Sequence, residues 1–435
     1  MATFSKRTTK QHDDVPAPRR IEVGFPDAVV EQMNALLKLA TLPEHAPFPE
    51  AGWEHGIDLA WLKELKREWE DDFSWTDLKA EINKWPNYMV KFDEDDVDLH
   101  FVHVRSDHPD AVPLLLLHGW PGTFYDFHKV IEPLTRPTVP GSQPFHVVIP
   151  SLPGYFLSTY PARSGFTLVD TARIFHKLMT QVLGYERFMC QGGDWGYYIL
   201  RAMVSMPETC HSVPLAHFNM WRAPESGAAR WIPALAQAVP SFLDALPGWK
   251  ATKDFVEETA LSLFLTLGEM RSTKMRRNFA ATGAGYVAIQ STKPLTVGYA
   301  IQSSPLSLLA YIGEKMNQWS DVGSPHFDTK DVIATVMLYY LSKSFATSTL
   351  IYHQSKTVRE EMTYNRSAWK ASKDCLLGYT LFPCDPGAGT RSTIKPVGNL
   401  AFWRERTYGG HFPALDNPGG LCDDLRAFVL LHSMG

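Results

Sequence analysis

Phe188-Met189-Cys190-Gln191-Gly192-Gly193-Asp194-Trp195-Gly196 joins two unlike patterns. Before the acid, the short apolar run from Arg187 to Cys190 reads as a buried strand. After it, Tyr197 to Met203 has helical spacing. Gly192 and Gly196 flank the acid two positions away on either side, where side chains would keep strand and helix apart. A sharp turn of this kind thrusts its apical side chain out beyond the sheet edge. The same letters also fit a glycine-rich turn whose Asp caps the following helix, so the rest of the chain has to decide between the two.

Working outward, Val112-Pro113-Leu114-Leu115-Leu116-Leu117 is a continuous apolar run, as expected of a parallel strand covered on both faces. His118-Gly119-Trp120-Pro121-Gly122 follows it, then a helical pattern from Phe124 to Leu134. Phe145 to Ile149 reads as another buried strand, and a helix from Leu168 to Leu183 leads back to the turn at Asp194. Alternating strands and helices predict βαβ units, a mostly parallel sheet, and functional groups at the strands' carboxyl ends.

Residues 1–20 read as a flexible leader. Residues 21–106 read as a separate meander. It has an amphipathic helix from Pro26 to Ala40, a helix from Leu59 to Glu70 capped by Asp58, and one from Ser74 to Lys84 capped by Ser74. It closes with a hairpin of Tyr88 to Phe92 and Leu99 to Arg105. Trp53, Trp61, Trp69, Trp75 and Trp85 give it an aromatic core and docking surface. Core sequence is expected over 107–219 and again over 346–435. Between them, 220–345 loses the alternation and turns helical, with Trp221, Trp231 and Trp249, and reads as a lid inserted over the sheet. A helix from Thr329 to Arg359 is expected to break near Lys343. Cys375 to Phe382 and Leu400 to Arg406 are further strands, and a helix from Gly420 to His432 closes the chain.

The 435 residues allow about three units by length, or one large domain with an insertion. Hydrophobic residues make up 45% and charged ones 20%, an ordinary globular balance that allows a large core. A net charge of −5 without a basic run argues against nucleic acid. No stretch approaches the roughly 18 apolar residues of a membrane span, and the polar N-terminus lacks a secretory apolar region. The five cysteines are scattered without metal-ligand spacing. A reducing, cytoplasmic location is therefore expected, with no metal and no cofactor. An aromatic-rich surface patch would suit a homodimer.

Asp194, Asp385 and His411 occur in the order nucleophile, acid, histidine, each in a loop just after an expected strand. That is the chain order of α/β-hydrolase triads, and it favours a functional turn at Asp194 over a simple cap. A carboxylate is already charged at neutral pH and attacks an alkyl carbon without a base. The resulting ester then needs water activated by His411 with Asp385 behind it, and oxyanion donors from the backbone N–H groups of Trp120 and Trp195. Opening an epoxide and displacing a halide both fit an Asp nucleophile. The epoxide oxygen needs a proton donor, for which Tyr286 and Tyr352 are candidates, whereas Trp195 would suit a halide. A non-catalytic binding protein of the same fold is a further alternative, which the complete triad disfavours.

The sequence resembles the microsomal-type epoxide hydrolases, including their soluble fungal members, from about residue 20 onward. The resemblance rests on Trp53-Glu54-His55-Gly56, on Asn83 to Tyr88, and on the loops at His118–Gly122, Gly192–Gly196 and Gly409-Gly410-His411-Phe412. It implies an α/β-hydrolase fold with a helical lid and an N-terminal wrapping meander. It also implies conversion of a small-molecule epoxide to a vicinal diol through an ester on Asp194. Gly285-Tyr286 and Ile351-Tyr352-His353 match the two lid tyrosines, and Phe382-Pro383-Cys384-Asp385 resembles the acid position. The family's N-terminal membrane anchor has no counterpart in this sequence.

Overall fold

A computed structural model describes residues 17–224, 259, 262, 263 and 265–433. Residues 1–16, Trp231 and Trp249 lie outside the described residues. The described strands are β1 (Arg19–Ile21), β2 (Asn87–Phe92), β3 (Val97–Val104), β4 (Val112–Leu117), β5 (Phe145–Pro150), β6 (Met189–Gly192), β7 (Leu215–Phe218), β8 (Leu376–Leu381) and β9 (Asn399–Glu405). They form one sheet in the order β1-β2-β3-β5-β4-β6-β7-β8-β9. The first three join β5 by antiparallel pairing, and β5 through β9 pair in parallel. This is an α/β-hydrolase fold. The all-apolar run of β4 is buried along its whole length, as a strand with neighbours on both sides requires.

Pairing moves two boundaries away from what composition suggests. β6 runs to Gly192 because it stays in register with β4, Leu114 opposite Met189 and Leu117 opposite Gly192. It therefore delivers the chain directly into the turn. β1 takes Arg19 and Arg20 out of the expected leader and pairs them with Met89 and Tyr88. β7 has no counterpart among the expected strands. It is four residues long and contains His217, which is buried, bonded to Thr380 Oγ1 at 3.0 Å, and held neutral by burial with its pKa lowered to about 3.

The meander contributes α1 (Asp27–Leu39), α2 (Leu59–Asp71) and α3 (Trp75–Asn83). Asp58 caps α2 through the Trp61 N–H at 2.9 Å, and Ser74 caps α3 through that of Asp77. Met33 and Leu37 of α1 and Leu62, Leu65 and Trp69 of α2 are buried. Each such side chain contributes about 1.5–3 kcal/mol on leaving water. Helices α4 (His128–Thr135), α5 (Leu168–Lys177) and α6 (Asp194–Ser205) cover the sheet.

Over the sheet lie α7 (Leu267–Asn278), α8 (Gly285–Thr292), α9 (Pro294–Gln302), α10 (Pro305–Trp319) and α11 (Thr329–Ser342). The break expected near Lys343 is present, with that residue in the left-handed region at φ 55°. The helical lid continues beyond residue 345 as α12 (Phe345–Ser348), α13 (Leu350–Gln354) and α14 (Lys356–Tyr364). α13 packs on α8, and α12 packs on α9. Gly298 makes the second contact possible, since a Cβ there would lie 2.8 Å from Ala346 Cα. The meander packs on the lid as well. α1 and α2 touch α10, and Gln318 of α10 donates to the Trp53 carbonyl at 3.1 Å.

Candidate active site

Asp194 has φ 46°, a left-handed conformation that Asp tolerates better than most residues. β6 and α6 meet so closely that a Cβ at Gly192 would lie 2.6 Å from the Gly196 carbonyl oxygen. The same crowding at Gly196 involves Leu117 of β4. The turn therefore lifts the carboxylate off the sheet edge at the N-terminus of α6, where the helix dipole favours negative charge. The Asp194 side chain is 18% exposed.

The loop after β4 comes to meet it. The Trp120 N–H donates to Asp194 Oδ1 at 2.7 Å. Gly119 permits this approach, because a Cβ at that position would overlap the Asp194 carboxylate. His118 fixes the loop rather than taking part in chemistry. Its Nε2 accepts the Leu152 N–H at 3.0 Å and its Nδ1–H donates to the Gly119 carbonyl at 3.1 Å. Burial lowers its pKa to about 4, so it is neutral. Trp195 follows Asp194 in the first turn of α6, where N–H groups have no intrahelical acceptor.

Asp385 lies just past β8 and His411 past β9. Asp385 Oδ1 accepts from His411 Nδ1 at 2.9 Å and from the Gly387 N–H at 2.7 Å. His411 Nε2 lies 3.5 Å from Asp194 Oδ2. The imidazole is thus held between two carboxylates. Burial opposes its positive charge, but the field of Asp385, the hydrogen bond to Asp385 and the charge of Asp194 outweigh burial. The His411 pKa rises to about 10. The lid sets its backbone, since the His411 N–H donates to the Trp319 carbonyl at 2.8 Å at the end of α10.

Tyr286 on α8 and Tyr352 on α13 are both buried, with ring centroids 5.8 Å apart. Tyr286 stacks on Trp120 at 5.0 Å, and Tyr352 meets Trp195 edge-on at 4.8 Å. Each lid phenol therefore rests on one of the two tryptophans beside Asp194. Burial, with the field of Asp194 added, raises both phenol pKa values above the ordinary tyrosine range. The Tyr352 hydroxyl makes no hydrogen bond to a described residue.

A 530 Å³ cavity opens over Asp194, lined by Trp195, Met220, Phe279, Tyr286, Val287 and Tyr352 among others. That size suits a small organic molecule. A separate 30 Å³ space lined by Asp194, Asn219 and His411 among others is enough for one water. A 660 Å³ cleft between α3 and α4 contains none of the expected site residues.

The structure brings Asp194, Asp385, His411, Trp120, Trp195, Tyr286 and Tyr352 into one place. Four further residues only position these. His118 and Gly119 lie in the loop that the sequence singles out after β4, without an assigned role there, whereas Trp319 and Asn219 carry no sequence signal. Asn219 accepts from Gln191 at 2.9 Å and donates to the His411 carbonyl at 3.4 Å. It follows β7, the strand that sequence did not reveal.

Residues 18–127 match the family model described as epoxide hydrolase N terminus, and residues 112–369 match that of the alpha/beta hydrolase fold. The chain is 31% identical to epoxide hydrolase 1 of Sus scrofa over 399 residues, spanning 88% of this chain and 82% of that protein. Among solved structures it is similar to Aspergillus niger epoxide hydrolase, with 29% identity, TM-score 0.78, and coverage of 98% of this chain and 99% of that one. It is also similar to juvenile hormone epoxide hydrolase from the silkworm Bombyx mori. There the identity is 25%, the TM-score 0.79, and the coverage 96% of each chain. Among the described residues no helix is long and apolar enough to cross a membrane.

Proposed function

The chain belongs to the epoxide hydrolase family, and from that premise we propose that it works through a covalent ester on Asp194. One observation carries this reading. Asp194 Oδ1 is held by the Trp120 N–H at 2.7 Å, and Oδ2 lies 3.5 Å from His411, beneath two buried phenols. Asp194 attacks one epoxide carbon as the C–O bond breaks. The departing oxygen, still tethered to the substrate, takes a proton from Tyr286 or Tyr352. A phenol is protonated at neutral pH, and burial, which raises both pKa values further, keeps the two loaded as donors.

The second half follows from charge. At rest His411 is an imidazolium stabilised by two carboxylates. Alkylation removes the charge of Asp194, and the pKa of His411 falls. The imidazolium releases a proton, which restores the tyrosine, and the neutral ring becomes the general base. Water from the small space beside His411 attacks the ester carbonyl, and the oxyanion is received by the N–H groups of Trp120 and Trp195. Collapse expels the diol oxygen with its proton and regenerates the Asp194 carboxylate and the imidazolium.

The tyrosines are expected to act on the first half alone. Tyr286→Phe/Tyr352→Phe should slow alkylation by on the order of 10³-fold, the scale of losing transition-state hydrogen bonds. Hydrolysis of an ester already formed should change little. Stopped-flow separation of the two steps checks this, and equal slowing of both would contradict the assignment.

The pH dependence has a defined sign. Because the base must be neutral, ester hydrolysis should slow as pH falls through the His411 pKa of the ester. That pKa lies below the resting value of about 10, since the Asp194 charge is gone. Alkylation needs no neutral imidazole and should show no such acid limb. Single-turnover rates measured against pH test this, and a shared limb would count against it.

A further inference from the structure

The wall of the 530 Å³ cavity holds one carboxylate among its described residues, that of Asp194, and three cations: Arg222, Lys356 and Arg359. No described carboxylate pairs with any of the three cations. Arg359 donates to Ser291 Oγ at 3.3 Å and lies over the Trp195 ring, 5.9 Å from its centroid. Arg222 lies 5.2 Å over the Phe279 ring. Those rings lead inward to the phenols, Trp195 against Tyr352 at 4.8 Å and Phe279 against Tyr286 at 6.4 Å. Each guanidinium therefore stands one aromatic ring out from the reacting groups. The field of both reaches the Tyr286 hydroxyl, where it opposes the larger effect of burial.

Half-buried guanidinium groups that no described carboxylate neutralises are costly to keep beside apolar walls. A concave wall of one sign instead attracts an anion of the opposite sign. His411 as an imidazolium offsets Asp385, so among the described lining residues Asp194 is the one negative charge the cations must outweigh. Met220, Phe279, Ala284 and Val287 add an apolar part to the same lining.

We propose that this site selects epoxides that carry a carboxylate a few carbons from the ring. The carboxylate docks on Arg222, Lys356 and Arg359, the hydrocarbon crosses the apolar wall, and the ring meets Asp194. This rests on the reading of the site as the place of epoxide hydrolysis. The guanidinium fork matches a carboxylate with paired N–H donors.

The test compares an epoxyhexanoate with its methyl ester as substrates of the full-length protein. The acid should have the higher kcat/KM by about tenfold or more at low salt, with the preference shrinking as ionic strength rises. In R222Q and R359Q the ratio of acid to ester should fall toward one. The ratio is taken on one preparation, so it does not depend on how much of a variant folds. Equal kcat/KM for acid and ester, or a ratio unmoved in both variants, would overturn the proposal while leaving epoxide hydrolysis intact. Calorimetric binding of dihydroxyhexanoate and its methyl ester separates the two readings. If neither epoxide is turned over, acid-selective binding that R222Q abolishes would uphold the cationic subsite and sink the hydrolytic reading. Binding without acid selectivity would sink the subsite.

Discussion

His411→Gln should react once with an epoxide and then stop. Gln has similar reach but cannot accept a proton from water, so the ester on Asp194 loses its general base. A positioned base is worth about 10²–10⁴ in rate, and deacylation should slow by that factor. Alkylation should persist, because Asp194 is charged without help from the ring and keeps its bond to the Trp120 N–H at 2.7 Å. Intact mass under saturating epoxide should show the protein plus one substrate, and a peptide map should place the adduct on Asp194. An unmodified protein, or steady turnover near the wild-type rate, would contradict the assigned role.

Asp194→Asn should remove the reaction at its first step. Asn is the least disruptive replacement, since it also tolerates the left-handed φ of 46° found here and its amide oxygen can still accept from Trp120. What it lacks is the negative charge that attacks carbon. Diol formation should fall by on the order of 10⁴-fold or more, the scale of deleting a covalent nucleophile. No adduct should form even in the presence of His411. The same substitution has a spectroscopic signature. The His411 pKa of about 10 depends in part on the Asp194 carboxylate, so the ring should titrate at lower pH in Asp194→Asn. A diol rate within tenfold of wild type, measured on freshly prepared protein, would remove Asp194 from the mechanism.

Much of this architecture is local and therefore legible in sequence. The apolar run of β4, the glycines around Asp194 and the caps at Asp58 and Ser74 each act over a few residues, and each forms where its pattern indicates. The order of Asp194, Asp385 and His411 is legible too, because each follows a parallel strand and all such strands end on one edge of the sheet. What escaped depends on contacts distant in sequence. β7 is a strand because β6 and β8 lie on either side of it, and its buried His217 hides the apolar signal. The extension of β6 to Gly192 is set by its register with β4. The lid runs past residue 345 to take in Tyr352, already a lid candidate in the sequence, because α13 packs on α8, some sixty residues earlier in the chain. His118 looks like a catalytic histidine by type, yet its partners Leu152 and Gly119 make it a neutral brace. Lys356 and Arg359 share one face of α14 at i, i+3 spacing, but their meeting with Arg222 on one cavity joins segments far apart in the chain.

The most direct test is a single turnover in water enriched in heavy oxygen, with enzyme in excess over epoxide. If Asp194 bonds to carbon, the first diol takes its new oxygen from the carboxylate and carries no label, while heavy oxygen enters the peptide that contains Asp194. If the label instead appears in the first diol and leaves the Asp194 peptide unlabelled, water attacks the epoxide directly and the covalent account fails.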